Sequence, residues 1–300
     1  MSMFYRKMLA ASSIGLLALS GLLGSVSVWA AEGELLWVGC GITKKAFMSE
    51  LAIAYEKKTG IKIKLQGGGA TKGIRDTALG KNDLGGACRV ALESHSEEMK
   101  VTQIPIAWDA LVVIANKNNP VDNIGLHQLR QLYLGKLTNW KQLGGHNGKI
   151  ELYARKGKLS GVGRTLRELV FADYDQEFTQ SARVVRSSGP LEKAVEDNLS
   201  AIGVTGISSA KKRNVKILKL AGKEPSYANI KSGEYLLYRP LYLVIDRSNA
   251  DKRVKDFIRY AQSREGKEVI RKAGVVPYTD AIGLVMKQVE QLRRANEAGL

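Results

Sequence analysis

The chain has 300 residues, long enough for one large or two medium domains with a sizeable core. Its hydrophobic share of 44% and charged share of 25% are ordinary for a globular α/β protein. The 46 Lys and Arg outnumber the 29 Asp and Glu, giving a net charge of +17. That excess points to acidic ligands or surfaces, with a solvated basic face as the plain alternative. The basic residues are spread along the whole chain with few aromatics among them, which argues against a nucleic-acid partner.

Residues 1–30 read as a secretory signal peptide, cut after Ala30 or Ala31. Arg6 and Lys7 form the charged start, Leu9 to Val28 is apolar and small, and Val28-Trp29-Ala30 is a small-residue cleavage signature. An uncleaved anchor helix is the rival reading. The absence of a cysteine at the cleavage site argues against a lipid anchor there. Removing the leader takes away two positive charges and leaves +15. The expected location is the periplasm or outside the cell.

The mature chain opens with a strand at Glu34 to Val38, followed by Gly39-Cys40-Gly41. A helix is expected from Lys44 to Thr59, because Phe47, Leu51, Ala54 and Tyr55 fall at helical spacing and Gly60 stops it. Ile61 to Leu65 alternates as a strand, Gly67-Gly68-Gly69 turns into a helix at Thr71 to Leu79, and Asp83 to Ala87 is a short buried strand. This β-α-β-α-β order starts a parallel sheet with right-handed crossovers.

Ile104 to Ala115 is strongly apolar and long enough to run from one lobe to another. Asn116 to Gly145 follows, with an Asn-Pro loop, an amphipathic helix carrying Leu126, Leu129 and Leu132, a Gly-Lys turn, Trp140 and a Gly-Gly stop. Leu236 to Ile245 is a second apolar crossing, interrupted by Arg239-Pro240. Two crossings imply that lobe two, residues 112–242, is inserted into lobe one, residues 31–111 and 243–300. Val254 to Ala261 and Gly266 to Ala273 read as helices. Asp280 to Ala298 reads as another, whose stripe of Ile282, Val285, Met286, Val289 and Leu292 is expected to pack back on the body. No internal repeat or low-complexity linker is evident.

Several pieces together carry a family likeness: NKNNPVDNIGLHQLRQLYLGKLTNWKQLGG (Asn116 to Gly145), YEKKTGIKIKLQGGGATKGIRD (Tyr55 to Asp76), SGVGRT (Ser160 to Thr165), AIGVTGIS (Ala201 to Ser208), YRPLYLV (Tyr238 to Val244) and FIRYAQSREGKEVIRKAGVVP (Phe257 to Pro277). In this order they resemble the periplasmic phosphate-type binding proteins. The resemblance implies an α/β, bilobal Venus-flytrap fold of the type II periplasmic binding proteins, with two doubly wound lobes joined by two crossing segments. It implies capture of a small tetrahedral oxyanion, phosphate, arsenate or similar, for an ABC permease or a membrane sensor kinase. No enzymatic activity and no cofactor are expected, and a monomer is.

Gly-rich loops before helix starts expose N–H groups where the helix dipole favours an anion. Three such junctions stand out, at Gly39 to Thr43, Gly67 to Thr71 and Ser160 to Thr165; Gly, Ser and Thr also serve as plain turns and caps. The resemblance places Gly41, Ile42, Thr43, Lys44, Ala70, Thr71, Cys88, Arg155, Ser160, Gly161, Val162 and Arg164 at the ligand. Arg155 aligns with the family's arginine ahead of the ligand loop, and Arg164 with the one after Ser-Gly-Thr. This chain departs from the family at Ala70, Val162 and Ala87-Cys88, where hydroxyls and an acidic acceptor are usual. Lys44, Lys72 and Arg89 are placed to compensate.

Cys40 follows the first strand and Cys88 the third, so both face the ligand crevice of a doubly wound sheet. In an exported chain an even pair reads first as a disulfide. Unrelated buried thiols are a second reading. A functional pair is a third, holding or sensing a soft ligand such as arsenite, or sensing redox state. A metal site is not expected, because His95, His127 and His146 lack ligand spacing. Asp109, Asp173 and His95 form no acid-base or nucleophile constellation.

Overall fold

The computed structural model describes residues 33–248 and 251–297, with side chains through 290. The leader segment, residues 1–30, lies outside the described residues. Strand β1 (Glu34–Gly39) pairs in parallel with β2 (Lys62–Gly67), from Glu34↔Lys62 to Gly39↔Gly67, and with β3 (Leu84–Ala87). Between β1 and β2 the chain is helical without a break. It passes through α1 (Gly41–Thr43), a π-helical turn at Lys44–Met48 and α2 (Ser49–Thr59). Gly60, at φ 76°, ends that run in the left-handed conformation only glycine adopts freely.

Helix α3 (Gly69–Ala78) lies unusually close to the sheet. A Cβ at Gly73 would stand 2.6 Å from the Gly86 carbonyl oxygen, and one at Gly85 would stand 2.3 Å from that of Gly73. Facing glycines are therefore what let this helix start beside the ends of β1 and β3.

The central element is β4 (Val101–Asn116), sixteen residues long. Its run from Ile106 to Ala115 is buried, as expected of a strand covered on both faces. Beyond it come β5 (Asn123–Ile124), α4 (Leu126–Tyr133), β6 (Glu151–Arg155), α5 (Gly161–Leu166), β7 (Arg183–Val185), α6 (Ser188–Asp197) and β8 (Ala201–Gly206). Then follow α7 (Ile207–Ala210), β9 (Val215–Ile217), β10 (Lys219–Leu220), α8 (Tyr227–Ser232) and β11 (Tyr238–Asp246). The chain closes with α9 (Lys252–Gln262), α10 (Arg264–Lys272), β12 (Val276–Pro277) and α11 (Leu284–Glu297).

The main sheet runs β2-β1-β3-β11-β4-β8-β6-β7, with β12 and β9 also on β4. The first part of β4, to Ala110, pairs antiparallel with β11; the rest, from Leu111, pairs antiparallel with β8. The sheet thus has two halves sharing one strand. They are hydrogen-bonded into one path rather than standing as separate sheets. The chain returns between the halves just before β11, where Leu111 N–H donates to the Leu237 carbonyl (2.7 Å).

The amphipathic segment after β4 folds as its pattern predicts. Leu129 and Leu132 are buried, Trp140 is fully buried with its indole N–H on the Ser200 carbonyl, and Gly144 ends the turn at φ 80°. The C-terminal expectation needs correction. Residues Tyr278–Ala281 form a 3-10 turn, and α11 begins only at Leu284. Leu284 and Val285 pack inward, whereas Ile282, Met286 and Val289 are exposed; the Leu292 side chain lies outside the described ones. The contact line runs through Leu284 and Lys287, which meet Gly233 and the Ser232 carbonyl, so the expected stripe is turned off the body. Among the described residues no helix is long and apolar enough to cross a membrane.

One buried ion cluster supports the first half. Glu98 accepts from Arg89 Nη1 (2.7 Å) and Nη2 (2.9 Å), from Arg75 Nε (2.9 Å) and from the Leu92 N–H (3.0 Å). Burial alone would raise its pKa, but Arg89 and Arg75 override it and hold the carboxyl below its ordinary 4.5. A depressed carboxylate contributes stability above its unfolded pKa and loses it as pH falls through the folded one. Glu98→Gln is expected to cost about 3–5 kcal/mol at pH 7, since it strands a buried guanidinium. The gap to wild type should narrow as pH falls below about 4.5, as urea unfolding of both proteins from pH 7 to pH 3 would show.

Candidate functional site

A cavity of about 530 Å³ opens where the ends of β1, β2, β3 and β6 meet the starts of helices. From the first half it is lined by Cys40, Gly41, Ile42 and Lys45, by the Gly67 to Ala70 turn and by Cys88. From the second come Arg155, Gly161, Val162, the Arg186 to Gly189 loop and Ser209.

Local chemistry makes this an anion-seeking wall. Helices α3 and α6 both begin here, and neither has a side-chain cap on its first N–H groups. Those donors are left for water or a ligand. Gly69, at φ 87°, makes the turn that aims α3 at the cavity. The α1 start is capped only by sulfur, with the Thr43 N–H 3.3 Å from Cys40 Sγ. Ser160 caps α5 through the Gly163 N–H (3.1 Å).

Three cationic side chains line the cavity, and none of its lining residues is acidic. Arg155 is fixed by donating Nη1 to Ser188 Oγ (2.8 Å) and Nη2 to the Arg186 carbonyl (2.7 Å); its buried Nε has no protein partner. Lys45 donates to Ser209 Oγ (2.6 Å) and pairs with Glu192 (3.3 Å), reaching from one half of the sheet to the other. Arg186 is the third.

Arg239, from β11, lies immediately behind this wall. It is 2% exposed and donates Nη1 to the carbonyls of Cys88 (3.1 Å) and Gly161 (3.2 Å). Its Nη2 stands 3.5 Å from Asp109, an ion-pair rather than a hydrogen-bond distance. Burial pushes the Asp109 carboxyl above its ordinary range, partly opposed by Arg239 and by the Ser208 hydroxyl.

Of the residues singled out from sequence, Gly41, Ile42, Ala70, Cys88, Arg155, Gly161 and Val162 line the cavity. Thr43, Lys44, Thr71, Ser160 and Arg164 are not among its lining residues. Thr43 donates to the Ala87 carbonyl (3.2 Å), Lys44 to that of Leu65 (3.2 Å) and Thr71 to that of Leu159 (3.1 Å). Arg164 lies 3.9 Å over the Tyr174 ring. The three expected compensating cations are engaged elsewhere: Lys44 as described, Lys72 with Asp76, and Arg89 with Glu98. Lys45 and Arg186 stand in their place.

Cys40 and Cys88 are both free thiols, both buried, and in direct contact. The expected disulfide is therefore not formed. Burial, then the Cys88 contact, raises the Cys40 pKa. The Cys40 hydrogen bond lowers that of Cys88 to about 6 against the effect of burial, with Arg239 and Arg155 acting in the same direction.

A mixed α/β sheet in two halves, with an anion-suited cavity at its strand ends, defines a solute-binding protein of the periplasmic type. The chain belongs to the PBP superfamily, whose domain matches residues 31–265. It is 25% identical over 256 residues to the phosphate-binding protein PstS of Borreliella burgdorferi, covering 80% of this chain and 89% of that one. It is 26% identical to PstS of Bacillus subtilis, covering 83% and 82%. In structure it resembles a Clostridium perfringens chain described as a phosphate ABC transporter substrate-binding protein and solved with phosphate bound, at TM-score 0.76 and 27% identity over 82% of this chain and 99% of that one. An ABC-type phosphate transport receptor from Vibrio cholerae matches at TM-score 0.63 and 29% identity, over 82% and 100%. A soft-ligand role for the two thiols finds no support in these relatives, which are named for phosphate.

The Arg239–Asp109 pair is testable apart from any ligand. Arg239→Met should cost about 3–5 kcal/mol by stranding the buried Asp109 charge and freeing two carbonyls. Adding Asp109→Asn should recover a large part of that loss. Urea unfolding of the two variants checks both statements.

Proposed function

We propose that this chain is a solute-binding protein that captures a tetrahedral oxyanion, phosphate, arsenate or similar, and delivers it to an ABC importer or a membrane sensor. The observation that carries this reading is the cavity wall. It gathers Arg155, Lys45 and Arg186 with the uncapped starts of α3 and α6, and no carboxylate lines it. Preorganised donors of this kind favour an anion without reorganising when it arrives. Ser187, Ser188 and Ser209 supply hydroxyls that Ala70 and Val162 do not.

A division into lobe one, residues 31–111 with 243–300, and lobe two, residues 112–242, which close on the ligand between them, follows the two sheet halves except at residues 238–242, which pair within the first half. A location outside the cytoplasmic membrane, after removal of residues 1–30, fits a receptor that meets its solute there. In this reading the protein acts as a monomer.

Isothermal calorimetry with phosphate and with arsenate tests the reading. The wild-type protein should bind one anion per chain. Arg155→Ala should weaken binding by about 1.5–3 kcal/mol, roughly 10- to 150-fold, the scale of a charge-assisted hydrogen bond. A wild-type protein that binds neither anion overturns the reading. Unchanged affinity in Arg155→Ala transfers the role to Arg186 or Lys45.

A further inference from the structure

The cavity contains a chemistry that oxyanion capture does not use. Cys40 and Cys88 follow neighbouring parallel strands, with Gly39 opposite Gly86 and the Cys40 N–H on the Gly86 carbonyl (3.0 Å). That register sets Cys40 beside Ala87, one residue short of Cys88. An interstrand spacing of about 4.8 Å with an offset of about 3.3 Å gives roughly 6 Å between the two Cα atoms, within the roughly 4.4–6.8 Å that a disulfide spans. Both cysteines line the cavity, and each influences the ionisation of the other. Cys88 Sγ also rests against Gly161, where an added Cβ would meet it at 2.3 Å, so this sulfur sits at the seam between the two halves.

We propose that Cys40 and Cys88 are a reversibly oxidisable dithiol in the wall of the anion cavity, and that forming the disulfide strengthens anion binding. This rests on the oxyanion reading above.

Charge couples the thiols to the ligand. The charged groups facing Cys88 are Arg239 from β11, Arg155 from β6 and Asp109 from β4, with the Cys40 thiol beside it. A thiolate at Cys88 shares the two guanidinium groups that would otherwise serve the ligand. It also places a negative charge in the wall of a site built for anions. Oxidation removes that charge and leaves both arginines in place.

The chemistry balances with a small-molecule disulfide as oxidant. The Cys88 thiolate attacks one sulfur of the reagent, forms a mixed disulfide and expels a thiolate. Cys40 gives up its proton and attacks Cys88 Sγ, forming the Cys40–Cys88 bond and expelling the second thiolate. Two electrons pass from the cysteine pair to the reagent, and excess dithiothreitol reverses the step.

The sign with pH follows. With the Cys88 pKa lowered to about 6, the thiolate predominates at pH 8, so the reduced protein should bind more weakly there than the oxidised one. Near pH 5 the two forms should bind alike. Full-length protein freed of its leader would be treated with 2-hydroxyethyl disulfide or with dithiothreitol. Alkylation under denaturing conditions followed by mass spectrometry would count the thiols: two when reduced, none when oxidised, with no reagent retained. Calorimetry with phosphate, and with sulfate, whose charge is constant over this range, would then be run at pH 8 and pH 5.

Cys88→Ser in dithiothreitol should bind at pH 8 as the oxidised wild type does. Retained reagent or unreacted thiols overturn the proposal. So does equal affinity of the two forms at pH 8, or tighter binding by the reduced one. Either of these affinity results leaves the oxyanion reading standing. Failure of both forms and of Cys88→Ser to bind either anion removes that reading, and the redox proposal with it.

Discussion

The structure turns on one buried guanidinium. Arg239 sits at the end of the return crossing, 2% exposed, and reaches the carbonyls that close β3 and open α5. Taking such a charge out of water costs several kcal/mol unless its donors are met. Two carbonyls and the Asp109 carboxylate meet part of that demand. Because Cys88 lies in one half of the sheet and Gly161 in the other, satisfying Arg239 brings the two cavity walls to a fixed spacing. The same charge, shielded from solvent, adds a positive field directly behind the site, where a low dielectric makes it count for more than a surface lysine would.

The second constraint is steric. An anion site made of helix starts needs those starts to converge at the strand ends. The glycines at 73 and 85 allow α3 to approach β1 and β3 at distances no other residue tolerates, while Gly86 leaves room for the Trp37 ring. Gly161 does the same for α5 against Cys88. Convergence in turn leaves N–H groups without partners in the chain, and the three cationic side chains add charge to that donor set. Sheet order, glycine placement and electrostatics therefore all lead to one pocket.

Much of this was legible in the sequence, and the misses have physical causes. The parallel start, the long apolar strand and the Gly-rich junctions were visible because period and punctuation report backbone geometry directly. Lys44 was expected at the ligand, whereas Lys45 is the lysine that lines the cavity. The resemblance gave the place in the chain but not which side chain of the Lys44–Met48 turn faces the cavity, and Lys44 donates to the Leu65 carbonyl instead. Arg89 read as a free cation because its partner Glu98 sits beyond a loop that no periodicity describes. Arg186 to Gly189, which line the cavity, were not singled out from the sequence. Their one signal was Ser-Ser-Gly-Pro leading into a helix, a fourth junction of the kind recognised three times elsewhere. The α11 stripe failed because an amphipathic pattern shows that a face is apolar, not that the body offers a surface to receive it.

The net charge has less to do with the site than its size suggests. Many of the surface lysines and arginines form exposed pairs, such as Lys193 with Asp197 and Lys223 with Glu234. Pairs of this kind contribute little and are screened by salt. The cavity works by different means. Arg155 is fixed by a hydroxyl and a carbonyl and Lys45 by a hydroxyl and Glu192, and the helix-start donors are backbone groups that cannot turn away. At about 530 Å³ it exceeds what a bare tetrahedral oxyanion needs, so ordered water or a tighter approach of the two halves must complete the coordination. Either route makes affinity depend on how the walls meet, and the walls meet at Arg239, Gly161 and the cysteine pair. Residues that set the spacing of the halves thus also set the strength of binding, although few of them need touch the ligand.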